Sequence, residues 1–143
     1  MQNEAIYSDL IKVLLTREDV NKLLWEIGVL RESLFKTDAG AFANILKSQV
    51  RKQVADVIEK YISAGDRVAL LDFLEEKFKE TPDIKLTLAF DPTQETIQKV
   101  SKWVKMSVGD VLIDYKVDRS IIGGAIVEYG GKIGDFSVKK LLS

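Results

Sequence analysis

The chain has 143 residues, 46% hydrophobic and 30% charged, the balance of one ordinary folded domain or two small ones. It contains neither cysteine nor histidine, which excludes disulfides, thiol nucleophiles, Cys and His zinc sites and the commonest general base near neutral pH. The formal net charge of −1 is spread over interleaved acids and bases, as in Glu75-Glu76-Lys77-Phe78-Lys79-Glu80, so no basic stripe is offered to phosphates and no nucleic acid is expected as a partner.

Apolar runs such as Val13 to Leu15 or Ile121 to Val127 are far shorter than the roughly 20 residues of a bilayer span, so no direct membrane insertion is expected. The start, Met1-Gln2-Asn3-Glu4, has no basic or apolar signal region, so no secretory signal is expected.

Up to Glu80 the apolar residues recur at three and four, the spacing of helices. A first helix from Glu4 to Leu15 carries Ile6, Leu10, Val13 and Leu14 on one stripe, and Thr16 stands where an N-cap is wanted. A second, Arg17 to Phe35, gathers Val20, Leu23, Leu24, Ile27, Leu30 and Leu34 on one face. A long third helix is expected from Thr37 or Asp38 to Ser63, with Gly65 as its stop and Asp66 as the next cap. A fourth runs from Arg67 to Glu80 on Val68, Leu71, Leu74 and Phe78.

After Thr81-Pro82-Asp83 the period changes. Lys85 to Phe90 alternates like a strand, and Asp91-Pro92 reads as cap and first position of a helix to Val108 that buries Ile97, Val100 and Val104. Strands are expected over Val111 to Tyr115 and Ile122 to Tyr129, and Gly130-Gly131 suits a two-residue hairpin turn. Ser137 can cap a last helix carrying Val138, Leu141 and Leu142. The expected fold is therefore α+β: a helical bundle over residues 1–80 followed by a small β-α-β-β-α domain over residues 84–143.

The run Asp118-Arg119-Ser120-Ile121-Ile122-Gly123-Gly124, followed by Gly130-Gly131-Lys132-Ile133-Gly134-Asp135-Phe136-Ser137-Val138, resembles the C-terminal signature of the delta subunit of the F-type ATP synthase. The mitochondrial relative in that family is the oligomycin-sensitivity-conferring protein. Gly65-Asp66-Arg67-Val68-Ala69-Leu70-Leu71 is similar to the last bundle helix of the same family, and set against that family the N-terminal helical domain is expected to be shortened. The resemblance implies a stator subunit with no catalysis and no cofactor, peripheral on the cytoplasmic face of the cell membrane. Its bundle would hold N-terminal segments of alpha subunits of the catalytic head, and its C-terminal domain the end of a b-type stalk subunit, so that the head resists rotor torque during proton-driven ATP synthesis.

Two other readings are open. The E-type peripheral-stalk subunit of vacuolar and archaeal-type ATPases also ends in an Ile-Gly-Gly hairpin but begins with a very long helix. Gly131-Lys132-Ile133-Gly134 has the Gly-x-x-Gly spacing of an RNA-clamping KH loop.

Trp25 and Trp103 lie off the densest apolar stripes of their helices and are candidates for partner contact, as aromatic anchors are enriched at interfaces. Ile6 and Leu10 on the first helix are a further candidate docking face, although a bundle core explains them equally well. Gly123 and Gly124 mark either a close backbone approach by a partner or a bend, and Asp118 with Ser120 either a contact or a local turn. Ile122, Gly130, Gly131, Asp135 and Ser137 are expected as motif and structural positions. An acid/base pair among Asp110, Asp114 and Asp118 lacks any evident pocket, and no Gly-x-x-x-x-Gly-Lys nucleotide cradle occurs.

Overall fold

A computed structural model describes residues 2–36, 40–61 and 66–137. The chain forms two compact units, one of residues 1–14 and 19–80, the other of residues 15–18 and 81–143.

The first unit is helical: α1 (Gln2–Val13), α2 (Arg17–Ser33, whose first two residues group with the other unit), α3 (Ala41–Ser48), α4 (Lys52–Tyr61) and α5 (Arg67–Glu80). Its core takes the apolar face of each helix, with Leu10, Leu14, Val20, Leu23, Ile27, Leu30, Ile58, Leu74 and Phe78 fully buried. Asp66 caps α5 as its position predicts, its Oδ1 accepting from the N–H groups of Val68 (2.9 Å) and Ala69 (3.3 Å). Gly65, the expected stop before it, lies outside the described residues.

The long third helix of the sequence reading is two helices. Between α3 and α4 the Arg51 N–H leaves the helical ladder and donates to Glu26 Oε2 at 2.6 Å, while the Arg51 guanidinium bonds Glu26 Oε1 (2.6 Å from Nη2) and the carbonyl of Asp19 (3.0 Å). Glu26 is 2% exposed, so its carboxylate must be satisfied inside the protein, and the broken helix supplies the donors.

Among the described residues the second unit is a four-stranded sheet of order β2-β1-β3-β4 with one α-helix: β1 (Asp83–Leu88), α6 (Gln94–Ser107), β2 (Leu112–Val117), β3 (Gly124–Tyr129) and β4 (Lys132–Ser137). β1 and β2 are parallel and joined through α6, whereas β3 and β4 add as antiparallel strands. To the expected order of strands and helix the structure adds β4. Gly130 and Gly131, at φ +59° and +80°, turn the chain back, and the whole of Lys132–Ser137 then pairs with β3. Ser137 ends β4, and the final helix expected from Val138 lies outside the described residues.

The helix cap expected at Asp91-Pro92 is instead Thr93, extended at φ −77° and ψ 162°, whose hydroxyl accepts from Thr96 N–H at 3.1 Å. Thr16 stands directly before α2, at the position where its cap is expected, and is buried in a parallel bridge to Ile113, whose N–H donates to the Leu15 carbonyl at 2.9 Å. This short segment extends the sheet beyond β2. Arg17 fastens it to the start of β1, its Nε donating to Asp83 Oδ1 (2.7 Å) and its Nη2 to the Thr81 carbonyl (2.6 Å). Ile84, Leu86, Ile97, Val104 and Ile113 form the core between α6 and one sheet face, with Leu15 part of the same cluster.

Candidate partner-binding site

Among the described residues there is no group of three or more Asp or Glu set to hold a metal ion, and no helix long and apolar enough to cross a membrane. What the surface does carry is exposed aromatic and apolar side chains on both units.

On the helical unit Trp25 is 59% exposed. One turn along α2 lies Gly28, where an added Cβ would meet nothing within 4 Å. A glycine inside a helix costs roughly 0.8–1 kcal/mol relative to alanine, and packing among the described residues does not demand it here. An absent side chain beside an exposed Trp lets another backbone come close at this point of α2. Lys22, Val29 and Glu32 continue the same outer stripe at helical spacing. Ile6 and Leu10, by contrast, are 1% and 0% exposed. The docking role considered for them is replaced by a core role, because the stripe they share faces the bundle interior.

Elsewhere on this unit, charge pairs tie helices together. The Tyr61 hydroxyl donates to Asp9 Oδ2 at 2.7 Å and, with Lys60 and Lys12 adding their charge, holds that carboxyl below its ordinary range. Glu75 is also held low, first by the hydrogen bond from Lys79 and then by Arg31, which reaches both Glu75 and Asp72.

On the sheet unit Trp103 is 65% exposed on the outer side of α6, with Met106 beside it. The sheet face away from α6 is open among the described residues. Its rows run Asp114, Lys85, Glu128, Ile133 and Lys116, Thr87, Ile126, Asp135 across the four strands, and all of these but Asp135 line a groove of about 490 Å³.

The signature run makes a tight corner between β2 and β3. Asp118 Oδ1 accepts from the Ser120 N–H (2.9 Å) and hydroxyl (2.6 Å), the local turn that the Asp-x-Ser spacing suggests. Ile122 stands at φ +72° and ψ −46°, and the Gly123 N–H donates to the Ile121 carbonyl at 2.8 Å, which makes a strained γ-turn centred on a β-branched residue. Sequence reasoning marked Gly123 and Gly124 for this bend but had no signal for the conformation of Ile122.

Asp110, Asp114 and Asp118 follow one another along β2 and its flanks at intervals of about 13 Å, too far apart to share a proton. Gly131 to Gly134 runs from the hairpin turn into β4 and not between two helices, so the KH-like loop is absent.

The profile of the family described as ATP synthase delta (OSCP) subunit matches residues 7–143. A protein from Thermosipho melanesiensis named ATP synthase subunit delta is 36% identical over 61 residues, covering 42% of this chain and 34% of that protein. One of the same name from Roseobacter denitrificans is 28% identical over 106 residues, covering 73% of this chain and 54% of its own length. The chain thus spans about half, or less, of the curated relatives it matches.

Proposed function

Because the chain belongs to the ATP synthase delta (OSCP) subunit family, we propose that it is a non-catalytic stator subunit that links the catalytic head of an F-type ATP synthase to the peripheral stalk and resists rotor torque during proton-driven synthesis. The observation that carries this reading is that the family match runs through both compact units and does not stop at one. An adaptor needs two surfaces, and each unit displays an exposed tryptophan.

In this reading the helical unit holds N-terminal segments of alpha subunits and the sheet unit holds the end of a b-type subunit, on the cytoplasmic face of the cell membrane. Each partner is fixed by its own contacts, and holding both at once raises the effective concentration of one for the other. Stable contacts of this kind bury about 1,200–2,000 Å² of total surface.

The test is a pull-down with the tagged chain from detergent-solubilised membranes of the source cells. Alpha, beta and b-type subunits are expected together. Trp25→Ala is expected to lower recovery of the head subunits selectively, and Trp103→Ala that of the b-type subunit. Recovery of none of these subunits by the unaltered chain overturns the reading.

A further inference from the structure

The chain passes between the two compact units three times, after Leu14, after Glu18 and after Glu80. A boundary between such units usually falls in one exposed linker that few bonds cross, and units joined in that way move and unfold independently. Here Leu15–Glu18 leaves the helical unit between α1 and α2, enters the sheet of the other unit and returns. Neighbouring residues therefore serve different cores. Leu14 still donates to the α1 ladder, at the Leu10 carbonyl, and is buried in the helical unit, whereas Leu15 is buried with Ile84, Ile97 and Ile113 in the cluster beneath α6.

Both ends of this insert are fastened. The Leu15 carbonyl accepts from the Ile113 N–H at 2.9 Å, beside the parallel bridge between Thr16 and Ile113. Arg17 donates from Nε to Asp83 Oδ1 (2.7 Å) and from Nη2 to the carbonyl of Thr81, the residue at which the chain enters the sheet unit for the last time (2.6 Å). One guanidinium thus ties the insert to the third crossing. Its bonds are charge-assisted, and both Arg17 and Asp83 are partly buried, so the pair is screened less than an exposed one. Just past the second crossing the Asp19 carbonyl accepts from Arg51 Nη2 at 3.0 Å inside the helical unit. A single residue, Glu18, separates the anchor in one unit from the anchor in the other.

We propose that Leu15–Glu18 is a clasp, pinned by Arg17, that makes the two units fold and unfold as one cooperative body. The coupling runs through loop closure. While the helical unit is folded, the ends of the insert are already held. Once that unit unfolds, Leu15 and Arg17 stay on the sheet only by closing a loop of residues 19–80, and the entropy lost in that closure weakens the sheet unit. In the other direction, opening of the sheet frees Arg17, the first residue of α2, and the turn between α1 and α2 loses its anchors. The clasp does not depend on the stator reading; in a stator it spreads a load passing between the units over three chain crossings.

The test is unfolding of the full chain in urea, followed by amide hydrogen exchange in NMR spectra so that α2 and β1 report the two units separately. One transition common to both is expected. Val104→Ala, which empties part of the sheet unit's core without touching the insert, is expected to move both reports together. Arg17→Met, which withdraws the pin, is expected to part them, with β1 opening at lower urea than α2. In the same variant exchange at the Ile113 N–H is expected to rise about ten- to a hundredfold, while the neighbouring Leu112 N–H, bonded to the Pro82 carbonyl at 2.9 Å, stays protected. Asp83→Asn keeps the shape of the acceptor and removes its charge, and it is expected to part the transitions in the same sense, which decides the matter if Arg17→Met does not fold. Separate transitions in the unaltered chain, or an effect of Val104→Ala confined to β1, would overturn the proposal. So would transitions that remain together in both Arg17→Met and Asp83→Asn, since another contact would then hold the units in step.

Discussion

Glu26 and Arg51 neutralise each other in the helical unit and at the same time fix the break between α3 and α4, since the same carboxylate accepts from the Arg51 guanidinium and from its backbone N–H, both at 2.6 Å. Removing one partner of a buried pair leaves the other charge uncompensated, which costs about 3–5 kcal/mol. Arg51→Ala is therefore expected to lower unfolding stability by that amount in urea. The double change Glu26→Leu/Arg51→Met is expected to recover part of it, because no charge is then left buried while the backbone N–H of residue 51 still lacks its acceptor. A loss below about 1 kcal/mol for Arg51→Ala would show that the pair is not what holds this region.

Gly28 offers a separate test of the α2 surface. The space around its missing Cβ is open, so Gly28→Ala is expected to raise stability by about 0.8–1 kcal/mol through helix propensity alone. If a partner helix approaches α2 beside Trp25, the same variant should recover less of the head subunits in the pull-down despite being more stable. A gain in both stability and recovery would assign the glycine no part in docking.

How far the sequence reaches is clearest where local signals and distant ones compete. The cap at Asp66, the bounds of α5 and the Gly130-Gly131 hairpin are local, and they follow from turn and cap chemistry alone. The break at Arg51 is not local, because the apolar spacing of Phe42, Ile45 and Leu46 continues through Val54 and Ile58. The carboxylate that decides it lies 25 residues earlier. Asp91 and Thr93 are both good caps by type, and only the path of the chain after β1 selects Thr93. The exposure of Trp25 and Trp103 is legible because each stands off the densest apolar stripe. Ile6 and Leu10 were ambiguous because a docking stripe and a core stripe have the same period.

The two depressed carboxyls give the helical unit an acid dependence. Asp9 and Glu75 are held below their ordinary values when folded, so the unfolded chain binds more protons than the native one as the pH drops through about 4. Their contribution is present above that range and lost as pH falls from about 5 towards 3. Tyr61→Phe removes the leading cause at Asp9, and Lys79→Met the leading cause at Glu75. Melting temperatures across this range are expected to fall less steeply for the double variant than for the unaltered chain, and parallel curves would show that neither contact carries the dependence.

Ile122 is where the signature corner departs from relaxed backbone geometry. A β-branched residue at φ +72° in a γ-turn carries strain on the order of 1–3 kcal/mol, and its side chain is half exposed, so core packing returns little. Alanine and glycine both remove that side chain, but only glycine accepts the backbone conformation without a Cβ clash. Ile122→Gly is therefore expected to be more stable than Ile122→Ala by about 1 kcal/mol in urea unfolding, the reverse of their usual order in regular structure. Equal stability, or alanine ahead, would mean that the turn relaxes when the isoleucine is removed. If glycine leads in stability yet binds the b-type segment more weakly than the unaltered chain, the strain has a use: it presents the Ile122 side chain to a partner at the corner between β2 and β3.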